Sequence, residues 1–230
     1  MVVCASTTAF SAGALVSSRL DGRIATMITH DDRSPAWLRT PLRIDAGCVL
    51  AARQVASPNY NERPEDTVID MLVVHNISLP PGKFGGGHVD ALFCNRLQPH
   101  LHPYFEHVHH LQVSAHLFID RLGALNQFVN LHDRAWHAGA SCFGGRENCN
   151  DFSIGIELEG TDTEPFTDVQ YDCLIHVARA LCRTFPAITL PRIIGHSDIA
   201  PGRKTDPGPF FDWPRLRNAL GCESPGSYPA

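Results

Sequence analysis

Met71-Leu72-Val73-Val74-His75-Asn76 decides the reading of this chain. Four apolar residues in a row, two of them β-branched, make the pattern of a strand buried on both faces. The run ends in a histidine and then enters Pro80-Pro81-Gly82 and Gly85-Gly86-Gly87, a long loop at a strand end. In sheet proteins that carry helices, binding chemistry collects at such places. Ser153 to Glu159 supplies a partner. It alternates, with Ile154, Ile156 and Leu158 on one face and Ser153, Gly155, Glu157 and Glu159 on the other. The second face is small, small, acid, acid, a floor with room above it. Ile193-Ile194-Gly195 is another short apolar strand, and it too ends in a histidine, His196.

Working outward, Val113 to Ile119 and Ala124 to Asn130 read as a hairpin about the Asp120–Gly123 turn. One or two edge strands are expected between Ile44 and Val55. Helical periodicity over Thr167 to Phe185 places Val169, Cys173, Leu174, Val177, Leu181 and Phe185 inward, and Asp168 and Gln170 suit an N-terminal cap. A short helix from Trp213 to Leu220 closes the domain. Strands and helices alternate irregularly, so the expected class is α/β, a mixed central sheet flanked by helices.

Composition narrows the function. The chain has 230 residues, 43% hydrophobic and 19% charged, which excludes a largely disordered protein. No apolar run approaches the length of a membrane span. A net charge of −5 offers no general attraction to nucleic acid or anionic lipid, so neither partner is expected. Eight cysteines form no CxxC pair and read as scattered thiols of a cytosolic protein, although an even number permits disulfides. Residues 1–43 read as a disordered extension without a basic-then-apolar export signal, with Met27 an alternative start, and residues 222–230 as a flexible tail. There are 13 histidines, whereas Lys83 and Lys204 are the only lysines among 19 basic residues.

His75 and His196 acquire meaning from Asp206, ten residues after the second histidine. Pro207 biases Asp206 toward an extended conformation, in which Lys204 and Asp206 face a common space. Two imidazoles and a carboxylate, with a fourth position left to water, are a recognised catalytic zinc set. His100, His102, His107, His109 and His110 form a denser local cluster without a carboxylate, read as solvated loop and helix surface.

Four stretches carry a resemblance: LVVHNISLPPG at 72–82, RAWHAG at 134–139, CNDFSIGIELEG at 149–160 and GHSDIAPGRKTDPGP at 195–209. In this order, from about Leu50 to Leu220, the chain resembles the AmpD family of bacterial cytosolic N-acetylmuramoyl-L-alanine amidases, within the amidase type 2 and peptidoglycan recognition protein superfamily. The resemblance implies a zinc amidase domain over 44–221, with zinc on His75, His196 and Asp206. It places Glu157 as acid/base and Lys204 at the oxyanion. The implied substrate is an anhydro-N-acetylmuramic acid peptide, cleaved at the muramoyl–L-alanine bond during peptidoglycan recycling by a monomeric cytoplasmic enzyme. Asn76, Trp136, His137 and Arg146 are candidate substrate contacts, with packing, turn-making or plain solvation as their alternatives; His116 and His137 also read as walls of the site or as hydrogen-bonding residues. Asn148 and Gln112 stand where the family carries arginine, which bears on peptide preference. A non-catalytic peptidoglycan-binding module would lack part of the ligand set, and an amidase of intact wall would call for an export signal. A general zinc peptidase would more often carry HExxH, which does not occur.

Overall fold

The computed structural model describes residues 40–221. The expectations for most of the N-terminal extension, for Met27 and for the tail lie outside them. Packing is already under way at Leu42, which is buried in the main core two residues ahead of the boundary read from sequence.

Six strands form the central sheet: β1 (Arg53–Gln54), β2 (Met71–Ile77), β3 (Leu117–Ile119), β4 (Leu125–Gln127), β5 (Ser153–Glu159) and β6 (Ile193–Gly195). Their spatial order is β6-β2-β5-β3-β4-β1. All neighbours are parallel except β3 and β4, which form the antiparallel hairpin expected from sequence. The sheet is therefore mixed, as expected. The helices are α1 (His88–Phe93), α2 (Pro103–Val108), α3 (Asp168–Thr184), α4 (His196–Ile199) and α5 (Trp213–Gly221). No helix among the described residues is long and apolar enough to cross a membrane.

The two faces of the sheet do different work. Leu72 and Val74 of β2, with Ile154, Ile156 and Leu158 of β5, pack against Tyr171, Leu174, Val177, Ala178 and Leu181 of α3. Full burial of each large aliphatic chain is worth about 1.5–3 kcal/mol. Thr167 caps α3: its hydroxyl accepts from Gln170 N–H, and the Gln170 side chain accepts from Thr167 N–H. Val169 departs from expectation. It lies in the first turn, 37% exposed, while the neighbouring Gln170 turns inward and donates to the Glu159 and Ile119 carbonyls. On the opposite face, Met71 and Val73 meet Ala138, Cys149, Phe152, Ile194 and Ile199. His75 shares that face, because side chains two apart point the same way. The continuous apolar run is explained: β2 is covered on both sides.

Loop placement depends on Arg63, which the sequence did not single out. Its guanidinium donates to five carbonyls, those of Leu131, His132, Asn150, Asp151 and Ser153, at 2.8–3.3 Å. Burial, and next the charge of Arg134, lower its pKa to about 10, so it remains charged at neutral pH. The cation thus ties the 131–133 loop to the segment entering β5. Arg63→Leu should lower unfolding stability by about 2–4 kcal/mol, the scale of leaving several buried carbonyls without a donor. Urea denaturation followed by circular dichroism measures this, and a midpoint within error of the parent would refute the clamp.

Candidate active site

The site begins with register. β2 and β5 pair in parallel with His75 opposite Glu157, so the two side chains stand side by side on the face away from α3. β6 pairs with β2 on the other side and delivers His196 as the first residue of α4. Asp206 reaches the same point from the following loop. Ser197 N–H donates to the Asp206 carbonyl at 3.0 Å, and a Cβ on Gly195 would stand 2.8 Å from Pro207 Cδ. Glycine at 195 therefore lets the loop close over the strand end.

His75 Nδ1, His196 Nδ1 and Asp206 Oδ2 are mutually 3.0 Å apart. Among the described residues they are the group of three whose donor atoms lie within 4.8 Å of one another. The histidines of 100–110 form no such group; all five are exposed, and His102 caps α2 by accepting from Tyr104 N–H.

The electrostatics of the triangle are unusual. His196 Nε2 faces the Ala138 carbonyl at 3.0 Å, an atom that can only accept, so this nitrogen carries the hydrogen. Burial lowers the His75 pKa to about 4, opposed by its hydrogen bond to Asp206 and assisted by His196, so His75 is neutral at pH 7. Burial works to raise the Asp206 carboxyl, but the two imidazoles outweigh it and hold the group well below the usual carboxylate range. Lone pairs of two imidazoles and a carboxylate thus converge. Such an arrangement calls for a cation. Ligands about 2.0–2.1 Å from a tetrahedral ion lie roughly 3.3 Å apart, so a small change admits zinc. The donor set fits that group.

Glu157 stands next to the triangle, and its Oε2 is buried without a hydrogen-bond partner. Burial, and secondarily the charge of Asp206, push its carboxyl well above the ordinary value, while Lys204 pulls the other way. A carboxyl lifted in this way suits proton exchange near neutrality. Lys204 is exposed and lines the same open cavity, of about 400 Å³, with His75, Asn76, Trp136, His137, Glu157, His196 and Asp206. An apolar wall of Leu79, Leu92, Tyr104, Leu111 and Val113 completes it. That wall was not anticipated, because its members come from separate loops and short helices with no shared period.

Other expected contacts land differently. Arg146 does not line the cavity: it pairs with Asp70 at 2.6 Å and lies 3.6 Å over the Phe152 ring, at the far end of β2 from His75. Asn76 lines the cavity, but its amide donates to Asp162 (2.7 Å) and the Pro207 carbonyl (3.1 Å), so it braces the Asp206 loop. Trp136 Nε1 donates to Asn61 Oδ1 at 2.6 Å. His116 accepts from Gly155 N–H at 2.9 Å and faces the Asp133 carbonyl, a structural position behind the wall. Glu159 shares strand parity with Glu157 but is spent, its carboxylate accepting from Gly85 and Arg121 N–H. Asn148 occupies left-handed backbone (φ 57°), where asparagine is favoured over most side chains.

The chain is similar to proteins of one known family. The family model for N-acetylmuramoyl-L-alanine amidase matches residues 65–209. The chain is 56% identical over 181 residues to 1,6-anhydro-N-acetylmuramyl-L-alanine amidase AmpD of Escherichia coli (strain K12), covering 79% of this chain and 98% of that protein. It is also similar to the crystal structure of a selenomethionine derivative of AmpD, with TM-score 0.76 and 55% identity over 78% of this chain and 99% of the other. A more distant likeness is to E. coli AmiD in complex with the substrate anhydro-N-acetylmuramic acid-L-Ala-D-γ-Glu-L-Lys: TM-score 0.50, 27% identity, 69% of this chain and 60% of the other. Fold, motif order and family match converge: the chain belongs to the N-acetylmuramoyl-L-alanine amidase family.

Proposed function

We propose that this protein is a zinc-dependent amidase that hydrolyses the bond between anhydro-N-acetylmuramic acid and L-alanine in soluble muropeptides, during cytoplasmic peptidoglycan recycling. The observation that carries the reading is the meeting of three lone pairs, 3.0 Å apart, beside the unpartnered carboxylate oxygen of Glu157. The substrate is argued from the relatives, E. coli AmpD by its name and AmiD by its bound ligand.

His75, His196 and Asp206 would hold the metal. Zinc, when bound, supplies Lewis acidity that polarises a carbonyl and makes water a competent nucleophile near neutral pH. Glu157 takes a proton from the water as its oxygen adds to the lactyl carbonyl carbon. The same carboxyl returns that proton to the nitrogen as the C–N bond breaks, which releases the peptide with a free amino terminus and leaves a carboxylate on the sugar. Lys204 places its ammonium against the charge developing on the carbonyl oxygen. In a chain so biased to arginine, a lysine here is informative. A guanidinium would form a two-pronged pair with Asp206 and compete for the third ligand.

Mass spectrometry of products should show purified anhydromuropeptide split into sugar and intact peptide, much faster than peptide is released from intact sacculi. Equal rates on both would replace the soluble substrate by the intact wall. With zinc content unchanged, Glu157→Ala should lose about 10²–10⁴ in turnover. Glu159→Ala should instead lose thermal stability, because its carboxylate anchors two loops. The reverse pattern would mean that the acid/base has been assigned to the wrong residue. For Lys204→Ala the expected loss is about 10²–10³ in turnover, and Lys204→Arg should be impaired despite its retained charge. Steady-state rates decide this, and near-normal turnover in the arginine variant would return Lys204 to solvent.

A further inference from the structure

The space above Ser153 and Gly155, read from the sequence as a floor with room above it, is filled. The His137 ring lies directly over Gly155, where a Cβ would stand 2.4 Å from His137 Cγ. This ring forms the middle of a hydrogen-bonded chain that leads from a backbone carbonyl to the metal triangle. Ser153 Oγ lies 2.5 Å from the Cys149 carbonyl oxygen, which can only accept, so the hydroxyl hydrogen is committed there. His137 Nε2 is 3.3 Å from the same Oγ and must donate to it. Its Nδ1 is then bare, and it faces His75 Nε2 at 3.0 Å. His75 Nε2 therefore carries the hydrogen, and His75 Nδ1 presents its lone pair to His196 and Asp206.

We propose that His137 is a positioning residue for His75. It accepts the Nε2 hydrogen and so fixes the tautomer that can ligate a metal, and Ser153 keeps His137 an acceptor. The inference rests on the metal reading above. The alternative tautomer of His137 would place a hydrogen on Nδ1. His75 Nε2 would then have to accept, its hydrogen would move to Nδ1, and that hydrogen would point into the triangle where the cation belongs. Orientation is fixed as well as tautomer: the His75 and His137 rings meet edge to face, with centroids 5.0 Å apart and planes at 83°. His196 reaches the same state by a shorter route, donating directly to the Ala138 carbonyl. Both imidazoles are thus set from behind by acceptors whose own state is dictated by the backbone, as is general for metal-binding histidines. Gly155 and Ser153 receive a common explanation: one leaves space for the ring and the other sets its polarity.

The test compares the parent with His137→Phe, which keeps the ring and removes the acceptor, and with Ser153→Ala. Two quantities are read: zinc affinity in competition with a chromophoric chelator, and the His75 tautomer from two-bond ¹H–¹⁵N correlation spectra of metal-stripped protein. The parent should show His75 as the Nε2–H form. His137→Phe should bind zinc about 10–100-fold more weakly and populate the Nδ1–H form of His75. Ser153→Ala should release the His137 tautomer, visible in the same spectra, with a smaller loss of affinity. Zinc binding within twofold of the parent and an unchanged His75 tautomer in His137→Phe would overturn the proposal. Should that variant not fold, unchanged His137 and His75 tautomers in Ser153→Ala would overturn it equally. A parent that binds no zinc yet keeps His75 as Nε2–H refutes the metal reading and upholds the relay.

Discussion

The parallel ladder between β2 and β5 is the constraint on which the site depends. Seven residue pairs run from Ser153↔Met71 to Glu159↔Ile77, with His75 opposite Glu157 in the fifth. A slip of one residue in either strand would carry its functional side chain to the α3 face and place an apolar residue in the cavity. The register is held because both faces are specified. Ile154, Ile156 and Leu158 fit only the α3 side, and Gly155 alone admits the His137 ring on the other. Parallel strands also deliver their C-terminal ends to one edge of the sheet, so His75, Glu157 and His196 arrive together from distant parts of the chain.

Below about pH 6.5 at the histidines, and above the ordinary carboxyl range at Glu157, this assembly works against the stability of the fold. Burial lowers the pKa of His75 to about 4, that of His116 to about 3 and that of His137 well below its ordinary value, while Glu157 is pushed the other way. Each shift records an interaction that penalises the charged form in the fold relative to the open chain. The opposing contribution comes from the α3 face, where the sheet meets a continuous apolar surface. One side of the sheet therefore stabilises what the other side strains.

The long elements were legible in the sequence because their periodicity is local. β2 and β6 were readable as apolar runs and β5 by its alternation, and α3 was placed within one residue of the observed bounds, with Val169 the exception in its stripe. His75 and His196 stood out because each directly follows an apolar run, and Asp206 because it follows at short range. What escaped depends on contacts between residues far apart in sequence. Arg63 reaches carbonyls 68 to 90 residues away, a relation with no local signature. Arg146 was read as available for a peptide because nothing local announces Asp70 or Phe152 as its partners. The small residues on β5 were read as a floor with room above it, but what fills that room was not legible, since the His137 ring belongs to a loop entering from outside the strand.

Asp206 and Lys204 lie on one short segment that is tied down throughout. Arg203 and Lys204 N–H donate to the Ala200 carbonyl, Ser197 N–H donates to Asp206, and Asn76 grips the Pro207 carbonyl from the neighbouring strand end. The Arg203 guanidinium adds bonds at 2.7 Å to the Ala138 and Ala140 carbonyls. The backbone that carries Lys204 and Asp206 is therefore held as one piece. A shift of this backbone at position 204 would therefore also move the Asp206 carboxylate relative to His75 and His196.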